Sequence, residues 1–93
     1  MEPQKPKTQH YQIMERSEIL KQLLEIFIDT LDDEDVVLEE TTQATHVDGW
    51  DSLTHIMLVV AIEKHFKIRF TSNEIQSWNN VGEMMDCIQG KGI

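Results

Sequence analysis

The chain has one cysteine, Cys87, among its 93 residues. A lone thiol excludes an intramolecular disulfide, and the histidines and Cys87 show none of the paired spacings that a metal site requires. Basic side chains are also scarce: eight stand against seventeen acidic ones, a formal charge of −9 at pH 7. Phosphate backbones and anionic membranes repel such a surface at long range, which excludes nucleic acid as a partner and favours proteins that present Lys and Arg patches. No apolar run approaches the roughly 20 residues of a membrane-spanning helix. No opening segment joins a basic region, an apolar run and a small-residue cleavage site. These absences predict a cytoplasmic protein without membrane insertion. Length is short as well, since 93 residues fit one domain and leave little interior for a deep substrate cleft. An independent enzyme is not expected.

What the chain does contain is helical periodicity. Met1 to His10 carry Pro3, Lys5, Pro6 and Lys7 without an apolar stripe, so residues 1–12 are expected to be a flexible tail and 13–93 the folded domain. From about Ile13 the spacing turns helical, with Ile13, Leu20, Leu24, Phe27 and Leu31 on one stripe and Leu23 and Ile28 widening it. Ser17 would cap a shorter first helix, while nothing between Gln9 and Ser17 forbids a longer one. Asp32 to Trp50 is long for a connection between helices. Val36, Val37, Leu38 and Val47 are its expected anchors on the core, with the surrounding acids in water.

A second helix is predicted from Ser52 to about His65, capped by Asp51. Phe66, Ile68 and Phe70 then alternate with Lys67 and Arg69, which suits a short strand or an extended linker. No other segment offers a strand to pair with, which favours the linker. Thr71 or Ser72 followed by Glu74 opens a brief third helix ending near Trp78. Asn80 followed by Glu83 opens a fourth, with Val81, Met84, Met85 and Ile88 on its apolar face and Gly90 ending it. The predicted fold is all-α: a small four-helix bundle, three main helices and one short, with a long loop between helices one and two.

The segment Asp48-Gly49-Trp50-Asp51-Ser52-Leu53 delivers a serine to the first position of the second helix. Free amides and the helix dipole there suit a phosphate, worth about 0.3–1 kcal/mol at an exposed site. Taken alone, Asp51 and Ser52 are also ordinary start-of-helix residues. The helix that follows adds information. At about 100° per residue, Leu58, Val59, Ile62 and Phe66 gather on one side, and Leu53, Ile56, Met57 and Val60 on the other. In so small a chain one face meets the core and the other is wet, forgoing roughly 1.5–3 kcal/mol of burial per side chain. Such a patch marks a binding surface. The competing reading is a helix sandwiched in the middle of the bundle.

From Asp48 through Val81 the chain resembles the acyl carrier and peptidyl carrier protein family. The matching residues are Asp51-Ser52-Leu53, the apolar helix ending Ala61-Ile62-Glu63, Phe66, Ile68, and Glu74-Ile75; helix one and Val81-Gly82-Glu83-Met84 extend the match over nearly everything after the tail. The resemblance implies that a separate phosphopantetheinyl transferase moves 4′-phosphopantetheine from coenzyme A onto the Ser52 hydroxyl. The thiol of that arm then holds an acyl or aminoacyl group as a thioester. It implies no catalytic residue and no metal. Asp51 is carried over as a transferase contact, and Leu53, Ile56, Met57, Val60 and Glu63 as the docking face. The implied partners of this monomer are the transferase, an acyl- or aminoacyl-activating ligase, and a downstream acyltransferase or synthase.

Carriers of fatty acid synthesis are similar but usually acidic along this helix. Here Thr54 and Met57 stand where acids are common, and Lys64 and His65 interrupt the acidic end. Trp50 before Asp51 looks more like discrete carriers for D-alanine, amino acids, or acyl groups of specialised polyketide, nonribosomal or glycan pathways. An unmodified helical adaptor, binding protein through the same wet patch, is the alternative function. His55, three residues after Ser52, invites a nucleophile and base reading. The Gly-x-Ser-x-Gly elbow and a third orienting residue are both missing, so a half-buried, hydrogen-bonded His55 is expected instead. The acidic run from Asp29 to Asp35 lacks the glycine and closing glutamate of a calcium loop.

Overall fold

Four α-helices follow one another in the computed structural model, which describes residues 14–92: α1 (Arg16–Leu31), α2 (Ser52–Phe66), α3 (Ser72–Ser77) and α4 (Val81–Gly90). A single 3₁₀ turn, Ala44–His46, interrupts the long α1–α2 loop, and no strand occurs among the described residues. The architecture is the all-α bundle expected from the sequence. The expected tail, 1–12, and Ile13 lie outside the described residues.

α1 begins at Arg16, and Glu15 precedes it without a side-chain cap. Ser17 sits inside the first turn and caps nothing. Long-range ties fix this end instead: Arg16 forms ion pairs with Glu40 of the loop and Asp86 of α4, and its guanidinium also donates to Gln89 Oε1 at 3.0 Å. The buried stripe of α1 is Ile19, Leu23, Ile26 and Phe27, whereas Leu20, Leu24, Ile28 and Leu31 are only half-buried at its flank. This corrects the expected centre of the stripe. Both sets repeat at helical spacing, and periodicity alone does not say which edge of a wide apolar band faces the core.

The rest of the core comes from Leu58, Val59 and Ile62 of α2, from Val81, Met84, Met85 and Ile88 of α4, and from the loop. Val36, Leu38 and Val47 anchor the loop as expected, but Val37 is 71% exposed. Successive side chains in an extended segment point to opposite sides, so burying Val36 and Leu38 turns Val37 outward. The loop also binds α4: the first amides of that helix, Val81 and Gly82, donate to the carbonyls of Thr42 and Glu40 at 2.9 and 2.7 Å. Gly82 is required there, because a Cβ would lie 2.9 Å from the Glu40 carbonyl oxygen.

α2 runs one residue past His65, to Phe66, and closes on Lys67 in the left-handed conformation, φ 59°. Residues 68–70 are the extended linker, tied back to α2 where the Phe70 N–H donates to Glu63 Oε2 at 2.8 Å. Thr71, rather than Ser72, caps α3; its hydroxyl accepts the Glu74 N–H while Glu74 accepts the Thr71 N–H. Gly90 is the last residue of α4 rather than its terminator, and the glycine with positive φ at this end is Gly92.

Candidate functional site

The head of α2 is built by its cap. Asp51 Oδ1 accepts the backbone N–H groups of Leu53 and Thr54, each at 3.0 Å, and Thr54 Oγ1 accepts the Asp51 N–H at 2.8 Å. These bonds, the Thr54 N–H first, hold the Asp51 carboxyl below the usual carboxylate range. Asp51 is therefore ionised beside Ser52. The expectation that free amides here would suit a phosphate is corrected in part, because Asp51 already occupies two of them with a negative charge.

Ser52 is the first residue of α2 and is exposed, and its Oγ has no hydrogen-bond partner among the described residues. Nearby hydroxyls are differently placed. Thr54 Oγ1 donates to the Gly49 carbonyl, Thr71 Oγ1 serves the α3 cap, and Ser77 Oγ donates to the Glu74 carbonyl. Beside Ser52 opens a groove of about 450 Å³ between the loop, α2 and α3, lined by Trp50, Asp51, His55, Ile56 and Ile75, with Ser72 and Gln76 at its α3 side.

An aromatic chain holds the floor of this groove. Phe27 of α1 meets Trp50 edge to face, ring centroids 4.9 Å apart at 85°, and Trp50 stacks on His55 at 6.0 Å. The Trp50 Nε1–H donates to His55 Nδ1 at 3.0 Å, which places the imidazole proton on Nε2, facing the Ile75 carbonyl at 3.3 Å. His55 thus links the loop, α2 and α3. With both nitrogens engaged it is no base for Ser52. Sequence reasoning expected a half-buried, hydrogen-bonded His55 but named neither of its partners, and it matched Ile75 to the family without placing it in a groove; the indole donor five residues before a histidine was the available signal.

The outward face of α2 is apolar. Leu53, Ile56, Met57 and Val60 are 71, 52, 48 and 44% exposed, against 0% for Leu58 and Ile62 on the opposite face. That excludes the sandwiched helix. Glu63, at the far end, is half-buried with its carboxylate drawn to the Phe70 N–H, so the four apolar residues carry the outward surface. Cys87 lies on α4 beside Glu74: burial pushes its thiol up, and Glu74 adds to the effect. No group of His, Cys, Asp and Glu suited to a metal forms among the described residues. No helix among them is long and apolar enough to cross a membrane.

Residues 19–88 match the family described as the phosphopantetheine attachment site. The chain is similar to the solution NMR structure of a holo acyl carrier protein from Geobacter metallireducens, with 42% sequence identity and a TM-score of 0.73 over 77% of this chain and 83% of that one. A comparison with curated protein sequences found no match. The residues present fit a covalent arm: an exposed hydroxyl at a helix start and an open groove beside it for the arm's first atoms. The chain belongs to the acyl carrier protein family: it carries 4′-phosphopantetheine covalently and works with phosphopantetheinyl transferases and acyl-handling enzymes, rather than catalysing a reaction itself.

Proposed function

We propose that Ser52 is the attachment residue, that Asp51 and the apolar face of Leu53, Ile56, Met57 and Val60 meet the transferase, and that the same face docks the enzymes that load and unload cargo. The observation that carries this reading is the Ser52 hydroxyl, exposed at the head of α2 and unpartnered among the described residues, with the groove on one side and the apolar stripe on the other. When bound, the arm supplies a thiol that holds cargo as a thioester. The protein's own residues position it. The Asp51 cap and the Trp50–His55–Ile75 links fix the direction of α2, so the hydroxyl is presented from a rigid base. Among the described residues the Ser52 hydroxyl has no hydrogen-bond partner and both nitrogens of His55 are engaged, so removing its proton falls to the transferase.

The pathway we infer is a specialised one, with an acyl or aminoacyl cargo delivered by an activating ligase and collected by an acyltransferase or synthase. Supporting this are Thr54 and Met57, which leave the start of α2 without acids after Asp51, and Lys64 and His65 at its end. The single free thiol suits a cytoplasmic monomer.

The test is incubation with coenzyme A, magnesium and a broad-specificity transferase, read by intact-mass spectrometry. Wild type and Ser72→Ala gain one arm, and Ser52→Ala gains none. Ser72 is the control because its hydroxyl borders the same groove. A gain retained in Ser52→Ala, or absent from wild type with several transferases, refutes the assignment.

A further inference from the structure

Charge is spread unevenly over this protein. Residues 15–40, which span α1 and the first part of the loop, hold ten of the seventeen acidic side chains; residues 52–70 hold one, Glu63, against three cations, Lys64, Lys67 and Arg69. Glu63 is half-buried and its Oε2 accepts the Phe70 N–H at 2.8 Å, so the lone acid of this stretch is turned to the linker. Lys64, Lys67 and Arg69 are exposed and make no ion pair among the described residues, whereas Arg16 and Lys91 are paired with carboxylates.

These three cations line one open groove of about 450 Å³ together with Val60, Ile68 and Glu63. Val60 is also the last residue of the exposed stripe that begins at Leu53, so the apolar face runs without a break into the basic groove. Cations at a helix C-terminus stabilise the helix, which accounts for Lys64 and Lys67. It does not account for Arg69, which lies in the linker beyond α2, nor for the apolar side chains between the charges. Lys64 also borders a neighbouring groove that contains Asp29 of α1, again without an ion pair.

We propose that the outward face of α2 docks a protein partner whose contact surface is apolar at its centre and acidic at the edge that meets Lys64, Lys67 and Arg69. The net charge of −9 favours basic partners at a distance. At contact the local charges decide, because exposed charges more than about 10 Å apart are largely screened at 0.1 M salt. A partner carboxylate in this groove meets three cations that are unpaired among the described residues, against the single carboxylate of Glu63, which already accepts the Phe70 N–H. The same carboxylate set against α1 or residues 32–35 meets acids, so the arrangement admits one orientation of the complex and penalises the reverse.

The proposal rests on the reading of Ser52 and the α2 face given above. Wild type, Lys64→Glu/Lys67→Glu/Arg69→Glu and a control, Asp32→Asn/Asp33→Asn/Asp35→Asn, are first converted fully to the arm-bearing form and checked by intact mass. Each is then incubated in soluble extract of its native cell, and the cargo thioester is followed by mass spectrometry at low and high salt. Wild-type loading is expected to slow as salt rises, and the charge-reversed protein to load about tenfold more slowly at low salt, with the control unaffected. Equal or faster loading of the charge-reversed protein overturns the proposal and leaves the Ser52 reading standing. So does a salt-sensitive dimer of wild type in sedimentation that the reversal abolishes, because it assigns the groove to a second copy. Wild type that accepts no arm overturns the Ser52 reading and this proposal with it; wild type that bears the arm but gains no cargo overturns this proposal alone. Should circular dichroism show the reversed protein unfolded, Lys64→Gln/Lys67→Asn/Arg69→Gln takes its place, Asn being suited to the φ of 59° at residue 67; unchanged loading of that protein overturns the proposal equally.

Discussion

Replacing Trp50 with Phe tests whether the floor of the groove is held as the structure has it. The substitution keeps a ring in a position that is 9% exposed and edge-on to Phe27, but removes the indole N–H that His55 Nδ1 accepts at 3.0 Å. The lost bond is worth about 1 kcal/mol net. The smaller ring leaves a void in the packing that adds about 1 kcal/mol. The expected loss is about 2 kcal/mol, out of a folding free energy of about 5–10 kcal/mol for a domain this size. Urea unfolding followed by circular dichroism should show the midpoint falling by about 1–2 M with the slope unchanged. A double-mutant cycle with His55→Leu isolates the pair, and a coupling of about 1 kcal/mol is expected. A midpoint shift under about 0.3 M, or a coupling of zero, refutes the claim that this bond fastens the loop to α2.

Phe27→Ala, at a site with no exposure in the centre of the core, is expected to cost about 3–5 kcal/mol and to leave a marginal fold, measured by the same titration. Met57→Glu and Val60→Glu, on the outward face, should unfold at nearly the wild-type midpoint while slowing cargo loading in extract; unfolding by either would place the face wrongly. Lys91, then the Thr71 N–H, holds the Glu74 carboxyl at about 2 in the fold, against an ordinary 4.5. A carboxyl held lower in the folded than in the unfolded chain contributes stability that is present above pH 4.5 and lost as pH falls through 4.5 toward about 2. Thermal unfolding as a function of pH should therefore fall less steeply through that window in Glu74→Gln than in wild type.

Much of the fold was legible in the sequence because local chemistry specified it. Asp51, Thr71 and Asn80 are oxygen-bearing residues set just before apolar runs, and each caps the helix that follows. Residue spacing gave the two apolar faces of α2 and the small size of the chain made one of them wet, while the lack of a strand to pair with favoured the extended linker after it. What stayed hidden depends on contacts between distant segments. The start of α1 is set by Arg16 reaching Glu40 and Asp86, 24 and 70 residues away, and no local signal announces such a tie. The same is true of Gly82, whose need for a bare Cα arises from the Glu40 carbonyl that packs on it. The exposed Val37 and the displaced α1 stripe show the limit of periodicity: it finds an apolar band without fixing its rotation toward the core. At the site, Ser52 and its apolar neighbours were readable from one helix, while the α3 wall of the groove and the turned-in carboxylate of Glu63 required the folded chain.

Peptide-level tandem mass spectrometry on the protein isolated from its native cell tests the central claim most directly. The account predicts a phosphopantetheine arm, bare or bearing its cargo, on the peptide containing Ser52 and fragment ions that place it on that hydroxyl. An arm on Ser72 or another hydroxyl, or a fully unmodified chain from growing cells, would contradict it.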